Sequence, residues 1–587
     1  METTKVLNRN FADLFAHPVR YEIPFFQRGY AWEDRQWKKL FEDIQNEIIE
    51  SVEDNNFDDQ EHFFGPIVVL EKRSSHPSLK RFLVIDGQQR ITTSYLLLAI
   101  IKKHLVEKAH LSSIAQNYIA ELDRLLINDL RDEDDYLKMK VFSTKGDRLP
   151  TFKVLMGRNP DSPFLAEDQL LYDPEKNKID KFVKFANKQI KAYDVPRLWQ
   201  LYQAIQKSLK IVWIPLDEDK DDAQAIFESL NDAGMPLSAS ELLCNYLFRP
   251  LTDDATNAHE KLHNDKWLAA RRAVGEDNFE DYLRNLFSIG EKKRVGKERR
   301  MYVHFKIKNK KLSADTAKSS LDEIVAYTTI YKQITQPVLT SHPNPKIKKL
   351  LININSTNMS SINPFLMALL RTLENGRIAE ARTLALLRET LVLLVRRKIT
   401  KLPVTKYDTI FPSLLDKIVN EPDPVRAFQT QVQQEQLWVP DQVFESTFVT
   451  RDLYNSREMN FTRMILQEID AALQRFNELP DYTTIHTVEH ILPQTLNDQW
   501  RAYLGEDAQN INLRTIVDTL GNLSLNSSHA NSSFGQKPFE QKQAEYTDSS
   551  ALARDVKGRA GPWNIAAIEQ RSRDLAQTAL ILWKWTN

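Results

Sequence analysis

Runs of apolar residues divide the first part of the chain into short buried strands and one long helix. Residues 63–70 are almost entirely apolar, and residues 81–85 are rich in large and β-branched side chains. Both runs have the length and composition of buried strands, and Asp86 and Gly87 form a turn after the second. Apolar positions then recur at helical spacing over residues 89–107, which predicts a long helix directly after that turn.

Further along, the hydrophobic pattern is mainly helical, with one more strand predicted at residues 210–215. After Asp481 the β-branched run 483–488 favours a strand, and Pro493 prevents a helix from continuing. Glycine, asparagine and serine then cluster over residues 521–533, which is typical of a loop-rich module that carries a site. The sequence therefore predicts a mainly helical α+β protein. Its predicted domains are residues 1–250, a helical middle region of residues 251–430, and residues 431–587.

Composition narrows the possible classes of protein. The net charge of −1 excludes a generally basic nucleic-acid-coating protein, so any contact with DNA must use local patches. The single cysteine, Cys244, lies in an apolar run and is expected to be a small buried side chain. No apolar run approaches the length of a membrane span, and the first residues lack the apolar core of a signal peptide. We therefore expect a cytoplasmic protein without a membrane partner.

A first candidate site is the sequence Asp86-Gly87-Gln88-Gln89-Arg90. It lies where a strand is predicted to end and a helix to begin, and free N–H groups at a helix N-terminus attract anions. Arg90 adds a positive fork suited to phosphate. The alternative is a polar turn with Arg90 in a surface ion pair. A second motif, residues 23–32, combines four aromatics with Gln27 and Arg28, which could stack on a base and grip a phosphate or simply pack in a core.

Together these motifs resemble the DUF262 family, whose fold is similar to the ParB/sulfiredoxin nucleotide-binding domain. The matching pieces are the Ile-Pro-x-Phe-Gln-Arg-x-Tyr-x-Trp motif, Gly65-Pro66-Ile67-Val68-Val69, the Asp86–Arg90 motif and residues 226–237. Ala233 departs from the Arg or Lys usual in the family. The resemblance implies that a nucleoside triphosphate binds at Asp86, Gly87, Gln88, Gln89 and Arg90, with Gln27 and Arg28 nearby. The chain has no Gly-x-x-x-x-Gly-Lys-Ser/Thr sequence and is not a P-loop enzyme.

A second candidate site is the sequence His486-Thr487-Val488-Glu489-His490. It fits the His-x-x-Glu-His motif of inverted zinc peptidases, but that motif requires a helix. In the predicted strand the two histidines would lie about 13 Å apart, too far to share one ion. The other interpretation is an HNH nuclease, in which an imidazole activates water beside a divalent ion held by oxygen ligands.

Residues 440–587 resemble the DUF1524 family, a branch of the HNH (ββα-metal) nucleases. The resemblance rests on Glu489-His490-Ile491-Leu492-Pro493-Gln494, on Thr519-Leu520-Gly521-Asn522-Leu523, and on Asn531, Phe534, Lys537 and Tyr546. It implies that His490 is the general base, that Asn522 orients its ring, and that Lys537 neutralises developing phosphate charge. It also implies Mg²⁺ or a similar ion held by Glu489 and Asn531, with His486 as a further participant. His529 competes with Asn531 for its place in the ligand set.

Between the two motif regions, residues 292–311 hold ten basic residues and one acidic residue. Such a run is a solvated face or a surface that follows a phosphate backbone. The alternation in Lys306-Ile307-Lys308 suggests an edge strand or extended arm.

The two families in one chain resemble single-chain GmrSD-type, BrxU-like, type IV modification-dependent restriction enzymes. This resemblance implies NTP-dependent cleavage of phage DNA that carries hydroxymethylated or glucosylated cytosine. Other classes stay open: a nucleotide-switched ParB-like DNA-binding regulator with an inactive HNH domain, an effector directed by RNA or against a prophage, and the zinc peptidase. The oligomeric state is open as well, and a homodimer would supply two active sites for a double-strand break.

Overall fold

A computed structural model describes the chain except residues 1–6, 53–55, 59–60, 73, 75–76, 109, 111–112, 131–134, 161–171, 217–236, 252–257, 455, 475–479, 511, 547–549 and 586–587. Most of the predicted motif at residues 226–237, including Ala233, therefore lies outside the described residues. The chain divides into two compact units. The first unit comprises Met1–Ala269 and Tyr302–Leu321, and the second comprises Ala270–Met301 and Asp322–Asn587.

The elements of the first part of the chain alternate between strands and helices. They are β1 (Leu7–Asn10), α1 (Phe11–Phe15), β2 (Val19–Glu22), α2 (Asp34–Glu42), a π-helical segment (Asp43–Ile49), β3 (His62–Lys72), β4 (Lys80–Asp86), α3 (Gln88–Glu107), α4 (Ser113–Leu126), α5 (Asp135–Lys138), β5 (Val141–Phe142), α6 (Arg148–Met156), α7 (Lys178–Ile190), α8 (Val195–Gln203), a second π-helical segment (Ala204–Ser208) and β6 (Leu209–Leu216). The strands predicted at residues 63–70, 81–85 and 210–215 are confirmed as β3, β4 and β6.

The strands of the first unit form one mixed sheet of six strands in the order β1–β6–β3–β4–β2–β5. β3 is parallel to β6 and antiparallel to β4, and β4 is parallel to β2. The predicted long helix is confirmed as α3, which begins one residue earlier, at Gln88. Its apolar residues occupy every side, so the helix is buried among its neighbours rather than lying on a surface. This burial fixes the first turn of α3, and with it the Asp86–Arg90 motif.

Between residues 239 and 473 every regular element that the structure describes is a helix. These are α9 (Ala239–Phe248), with a 3₁₀ turn at Arg249–Leu251, α10 (Ala258–Leu262), a π-helical segment (His263–Leu268), α11 (Ala269–Val274), a 3₁₀ turn (Glu276–Asn278), α12 (Phe279–Phe287), α13 (Arg299–Lys308), α14 (Ala314–Ala326), α15 (Thr328–Thr335), α16 (Pro345–Ser356), a 3₁₀ turn (Ser360–Ile362), α17 (Asn363–Glu374), α18 (Glu380–Ile399), α19 (Tyr407–Ile418), α20 (Pro424–Gln434), α21 (Asp441–Thr450) and α22 (Met459–Leu473). Cys244 in α9 is buried and unbridged, as predicted.

The last part of the chain places a two-stranded antiparallel sheet among short helices. Its elements are β7 (Thr487–His490), α23 (Asp498–Leu504), a 3₁₀ segment (Gly505–Gln509), α24 (Leu513–Val517), a 3₁₀ turn (Leu520–Asn522), β8 (Leu523–Asn526), α25 (Ser528–Phe534), α26 (Phe539–Glu545), α27 (Ala551–Gly558) and α28 (Ile565–Leu582). Glu489 pairs with Ser524 and His490 with Leu523. The protein is therefore a mainly helical α+β protein, as predicted. Among the described residues no helix is both long and apolar enough to cross a lipid bilayer.

Two local predictions are wrong. Lys306-Ile307-Lys308 is neither an edge strand nor an extended arm but the last turn of α13, where Tyr302 and Phe305 are buried at helical spacing. The strand predicted at residues 483–488 begins only at Thr487. The carboxylate of Asp481 accepts hydrogen bonds from the backbone N–H and hydroxyl of Thr483, and this local turn competes with the strand.

The first unit includes a segment that lies far along the chain from the rest of it. In residues 302–321, Tyr302 and Phe305 pack edge-on against Tyr246 of α9. The hydroxyl of Tyr246 donates a hydrogen bond to the carbonyl of Asn309 at 2.6 Å. The compact first unit is therefore not one continuous stretch of sequence.

Candidate functional site

The turn between β4 and α3 requires glycine at position 87. Gly87 precedes α3 with φ of +90°, a left-handed conformation that other residues adopt at a cost. A Cβ atom there would lie 2.9 Å from both the Ile67 side chain and the Pro66 carbonyl oxygen. The tight turn places the side chains of Asp86 and Gln88 at the start of a 20-residue helix, where N–H groups are free to attract an anion.

Arg90 lies across the β3 bulge. Its guanidinium donates to the Pro66 carbonyl at 3.0 Å and lies 3.7 Å from the Asp86 carboxylate. Burial lowers the pKa of Arg90, and the charge of Asp86 opposes that effect. Gly65, with φ of +116°, leaves room for this side chain, since a Cβ at that position would lie 2.7 Å from Arg90 Nε. The sheet therefore holds Arg90 in place, and the side chain stays 26% exposed.

Two of the predicted binding glutamines bind the protein's own backbone. The Gln89 side chain accepts a hydrogen bond from the Ala31 N–H at 2.7 Å and donates to the Gly29 carbonyl at 3.2 Å. Gln27 donates to the carbonyls of Val84 and Ile85 at 3.2 and 3.3 Å. These contacts join the 23–32 motif to β4 and α3, so the geometry gives Gln27 and Gln89 a positioning role. The aromatic residues of that motif pack against one another and their neighbours.

Gln88 differs from Gln89 because it faces a cleft. The cleft is shallow, opens to solvent, and is lined by Ile23, Arg28, Gly29, Tyr30, Gln88, Gln89, Thr92, Ser143, Thr144 and Asp147. The Gln88 Oε1 atom is buried and accepts no hydrogen bond from any residue that the structure describes. A buried acceptor in this state is costly unless a ligand or water donates to it. The cleft thus combines an arginine with a buried amide, and both groups suit a nucleotide.

Sequence reasoning missed Asp147 in this cleft. Its carboxylate accepts hydrogen bonds from the Tyr30 backbone N–H at 2.6 Å and from the Asn177 side chain at 3.0 Å. Burial raises the pKa of Asp147, and these hydrogen bonds oppose the rise. Because Tyr30 is 117 residues away in sequence, no local pattern could have indicated that Asp147 belongs with the Gln27–Tyr30 loop.

In the second unit His490 lies at the end of β7. Its Nε2 atom is 2.9 Å from Oδ1 of Asp518, and the same carboxylate oxygen accepts a hydrogen bond from Gln494 at 2.8 Å. The ring of Tyr454 packs edge-on against the imidazole, with centroids 4.2 Å apart. The His490 side chain keeps 11% of its surface exposed, so the ring is oriented and still reachable. A histidine held in this way can serve as a general base.

Asn522 does not orient the His490 ring, so that prediction is corrected. The Asn522 side chain is fully buried and bonds to the backbone of Leu492 and Val517 and to the indole N–H of Trp563. Its amide therefore holds the β7 and β8 ends together. Asp518, which sequence reasoning missed, occupies the predicted position beside the imidazole. In the sequence, Asp518 could have been noticed only as a carboxylate four residues before Asn522.

Glu489 faces the opposite side of β7 from His490, because successive strand residues alternate. It is buried and forms an ion pair of 2.8 Å with Lys542, which is also buried and donates to the His490 carbonyl as well. Burial raises the pKa of Glu489, and the positive charge of Lys542 opposes that rise. The predicted role of Glu489 as a Mg²⁺ ligand does not fit, since an ammonium group already neutralises its carboxylate.

The remaining predicted nuclease residues are not assembled around His490 by any contact that the structure describes. His486 is exposed, and its Nδ1 atom is 2.9 Å from the Thr483 carbonyl. Lys537 forms a bidentate ion pair with Glu545. Asn531 lies in α25 and is half-buried, and the side chain of His529 lies outside the described residues. Since β7 is a strand and His486 lies in no helix, the helical His-x-x-Glu-His peptidase motif is excluded.

Two family models match the chain, one toward each end. Residues 11–248 match the family model described as GmrSD restriction endonuclease, N-terminal domain. Residues 438–578 match the model described as GmrSD restriction endonucleases, C-terminal domain. The two matches together cover well over half of the chain and contain every predicted site residue. None of the curated proteins compared with the chain matches it.

Proposed function

The chain belongs to the GmrSD restriction endonuclease family, and from that premise we propose that it is a nucleotide-dependent and metal-dependent type IV endonuclease. Its proposed substrate is double-stranded phage DNA with hydroxymethylated or glucosylated cytosine, and its proposed place of action is the cytoplasm. The three-part division at residues 250 and 430 stays a proposal too. The pairing of His490 with Asp518 is the observation that carries the catalytic part.

In the proposed reaction His490 removes a proton from the attacking water, and a DNA phosphodiester is hydrolysed. Asp518 positions the imidazole through its 2.9 Å contact with Nε2. Gln494 and the Tyr454 ring restrain the same pair. A divalent cation would stabilise charge on the phosphate when bound. Because the Glu489 carboxylate is engaged by Lys542, the need for such an ion rests on the family resemblance, and chelation tests it.

The proposed nucleotide site is the cleft of the first unit. Arg28 supplies a positive charge, Gln88 supplies a buried acceptor for a donor on the base or sugar, and the start of α3 supplies N–H groups. The turn beside the cleft contains Asp86, Gly87 and Arg90. Gln27, Gln89 and Asp147 hold the loop that forms the cleft wall.

The first experiment incubates the full chain with unmodified, hydroxymethylated and glucosylated DNA, with Mg²⁺ or a chelator, and with or without nucleoside triphosphate. His490→Ala is expected to abolish cleavage. His342→Ala, which changes a histidine in the loop before α16 and outside both matched segments, is expected to cut normally. Equal cleavage of all DNAs would remove the modified-base part of the proposal. Undiminished cleavage by His490→Ala would overturn the catalytic part.

Failure to cut any DNA, combined with nucleotide-dependent retention of it, would favour the DNA-binding regulator. The buried Glu489–Lys542 pair favours this second candidate, because it engages the carboxylate that was predicted to bind the metal of the nuclease. The mass of the protein in solution, measured with and without DNA, would decide whether a homodimer forms.

The nucleotide part has its own test. Gln88→Glu places a negative charge in the cleft and is expected to weaken binding of a fluorescent nucleoside triphosphate by about tenfold or more. Gln116→Glu makes the same change on the exposed face of α4 and should bind like the parent protein. Equal affinity of the two variants would remove the nucleotide from this cleft.

A further inference from the structure

A histidine and two carboxylates meet in the first unit, in a group separate from both sites described above. The ligand atoms of Asp43, Glu47 and His62 all lie within 4.8 Å of one another. The Nδ1 atom of His62 is 2.8 Å from the Glu47 carboxylate, and its Nε2 atom is 3.6 Å from the Asp43 carboxylate. None of these residues belongs to the predicted motifs, and neither proposed reaction uses them.

Local structure brings the three side chains together. Asp43 and Glu47 are one turn apart on the π-helical segment Asp43–Ile49, whose apolar residues Ile44 and Ile48 are buried in the core. His62 is the first residue of the central strand β3. The segment and the strand therefore present the ligands from two anchored elements.

The carboxylates of Asp43 and Glu47 lie beside one imidazole, and the three side chains together offer an ion one nitrogen and two oxygen atoms. Lys39 contacts Asp43 at 3.2 Å, yet the Lys39 side chain is 74% exposed and screened by water. A divalent cation at this position would neutralise both carboxylates.

We propose that Asp43, Glu47 and His62 bind a divalent first-row transition metal ion. Imidazole selects ions of the zinc type, while two carboxylates add affinity for ions such as Mn²⁺, so Zn²⁺ and Mn²⁺ are the ions that this donor set favours. Glu47 is exposed over 58% of its side chain, whereas Asp43 is exposed over 14%. The ion is therefore reached from solvent on the Glu47 side, and water completes its coordination.

The test uses the full chain after removal of metal with a chelator. Co²⁺ is added as a probe whose visible absorption reports the ligands, and Mn²⁺ binding is followed separately by electron paramagnetic resonance. Glu47→Gln and His62→Asn each remove one ligand. Glu50→Gln makes the same change at an exposed position on the same turn and is the matched control. His490→Ala is included to identify any ion bound by the second unit.

Removing a hydrogen-bond partner of a metal ligand weakens metal binding by roughly 10- to 100-fold. Removing the ligand itself should weaken binding by at least as much. We expect Glu47→Gln and His62→Asn to lose one equivalent of bound Co²⁺ and its visible bands, which Glu50→Gln and His490→Ala retain. Equal stoichiometry and equal spectra in the parent protein and Glu47→Gln would overturn the proposal. Because Glu47 is exposed, its replacement leaves the fold intact, which thermal melting in chelator verifies.

Discussion

The Nε2 atom of His490 lies 2.9 Å from the carboxylate of Asp518, and this contact joins the end of β7 to the turn before β8. The two residues are 28 positions apart in sequence. The antiparallel pairing of His490 with Leu523 brings the two chain segments side by side.

Replacing Asp518 by Asn is expected to lower kcat for DNA cleavage by about 10- to 100-fold, a part of the roughly 10²- to 10⁴-fold that a general base supplies. Asn keeps the size of the side chain but removes the charge that holds the imidazole. KM for DNA should stay unchanged, because Asp518 does not bind the substrate. Glu506→Gln, an exposed change in the same unit, serves as the control. A loss confined to KM would contradict a positioning role.

Lys542→Met is expected to lower the free energy of unfolding by about 3 kcal/mol or more, since it leaves the Glu489 carboxylate buried without a counter-ion. Urea unfolding of the full chain measures the change. The double variant with Glu489→Gln should recover much of the loss, because neither charge then remains buried. If Lys542→Met instead unfolds like the parent protein, the ion pair is not formed in solution.

Gly65→Ala is expected to destabilise the first unit by about 2–3 kcal/mol and to weaken nucleotide binding. The positive φ alone costs about 1–2 kcal/mol, and the new methyl group would displace the Arg90 guanidinium. Gly157→Ala also strains the backbone, at φ of +68°, but its new methyl group meets no atom within 4 Å. Gly157→Ala should therefore lower the stability of the first unit only through backbone strain and leave nucleotide affinity unchanged. Identical behaviour of the two variants would mean that Arg90 does not occupy this space.

Asp147 is expected to make stability depend on pH. Burial raises the pKa of Asp147 in the folded state above its ordinary value of 3.8. The folded protein therefore holds the proton on Asp147 more tightly than the unfolded chain does. The contribution of this proton to the free energy of unfolding is complete below pH 3.8 and is lost as the pH rises through the folded-state pKa. Asn does not titrate, so Asp147→Asn should not show this loss. Its stability relative to the parent protein should therefore rise between pH 4 and pH 7.

The measurement compares urea midpoints of the two proteins at both pH values. Asp34→Asn, at an exposed position at the start of α2, should follow the parent protein. A constant difference between Asp147→Asn and the parent protein across this range would contradict the raised pKa.

Features that depend on neighbouring residues could be predicted from the sequence. The strands β3, β4 and β6 and the helix α3 follow from the pattern of apolar residues, and the turn at Gly87 follows from its residue type. The error at residues 306–308 arose because two-residue alternation outweighed the helical spacing of Tyr302 and Phe305. At residue 483 a side-chain hydrogen bond from Asp481 outweighed β propensity.

The partners within each site could not be predicted, because they depend on contacts between distant segments. Asp147 reaches Tyr30, and Asp518 reaches His490, only after the sheet or hairpin has formed. A motif also does not reveal which polar side chain faces inward. Asn522 and Gln89 look like ligand-binding residues in the sequence, yet each uses its amide to hold the backbone in place.

The distant segment of the first unit has a consequence for the order of folding during synthesis. Domains generally fold as units while the chain emerges from the ribosome, starting with the amino-terminal one. Here the ring and hydroxyl of Tyr246 can form these native contacts only after Tyr302, Phe305 and Asn309 have been synthesised. A nascent chain that ends near residue 250 therefore still exposes part of its interior. The cell would need to protect this surface until about seventy more residues had been translated.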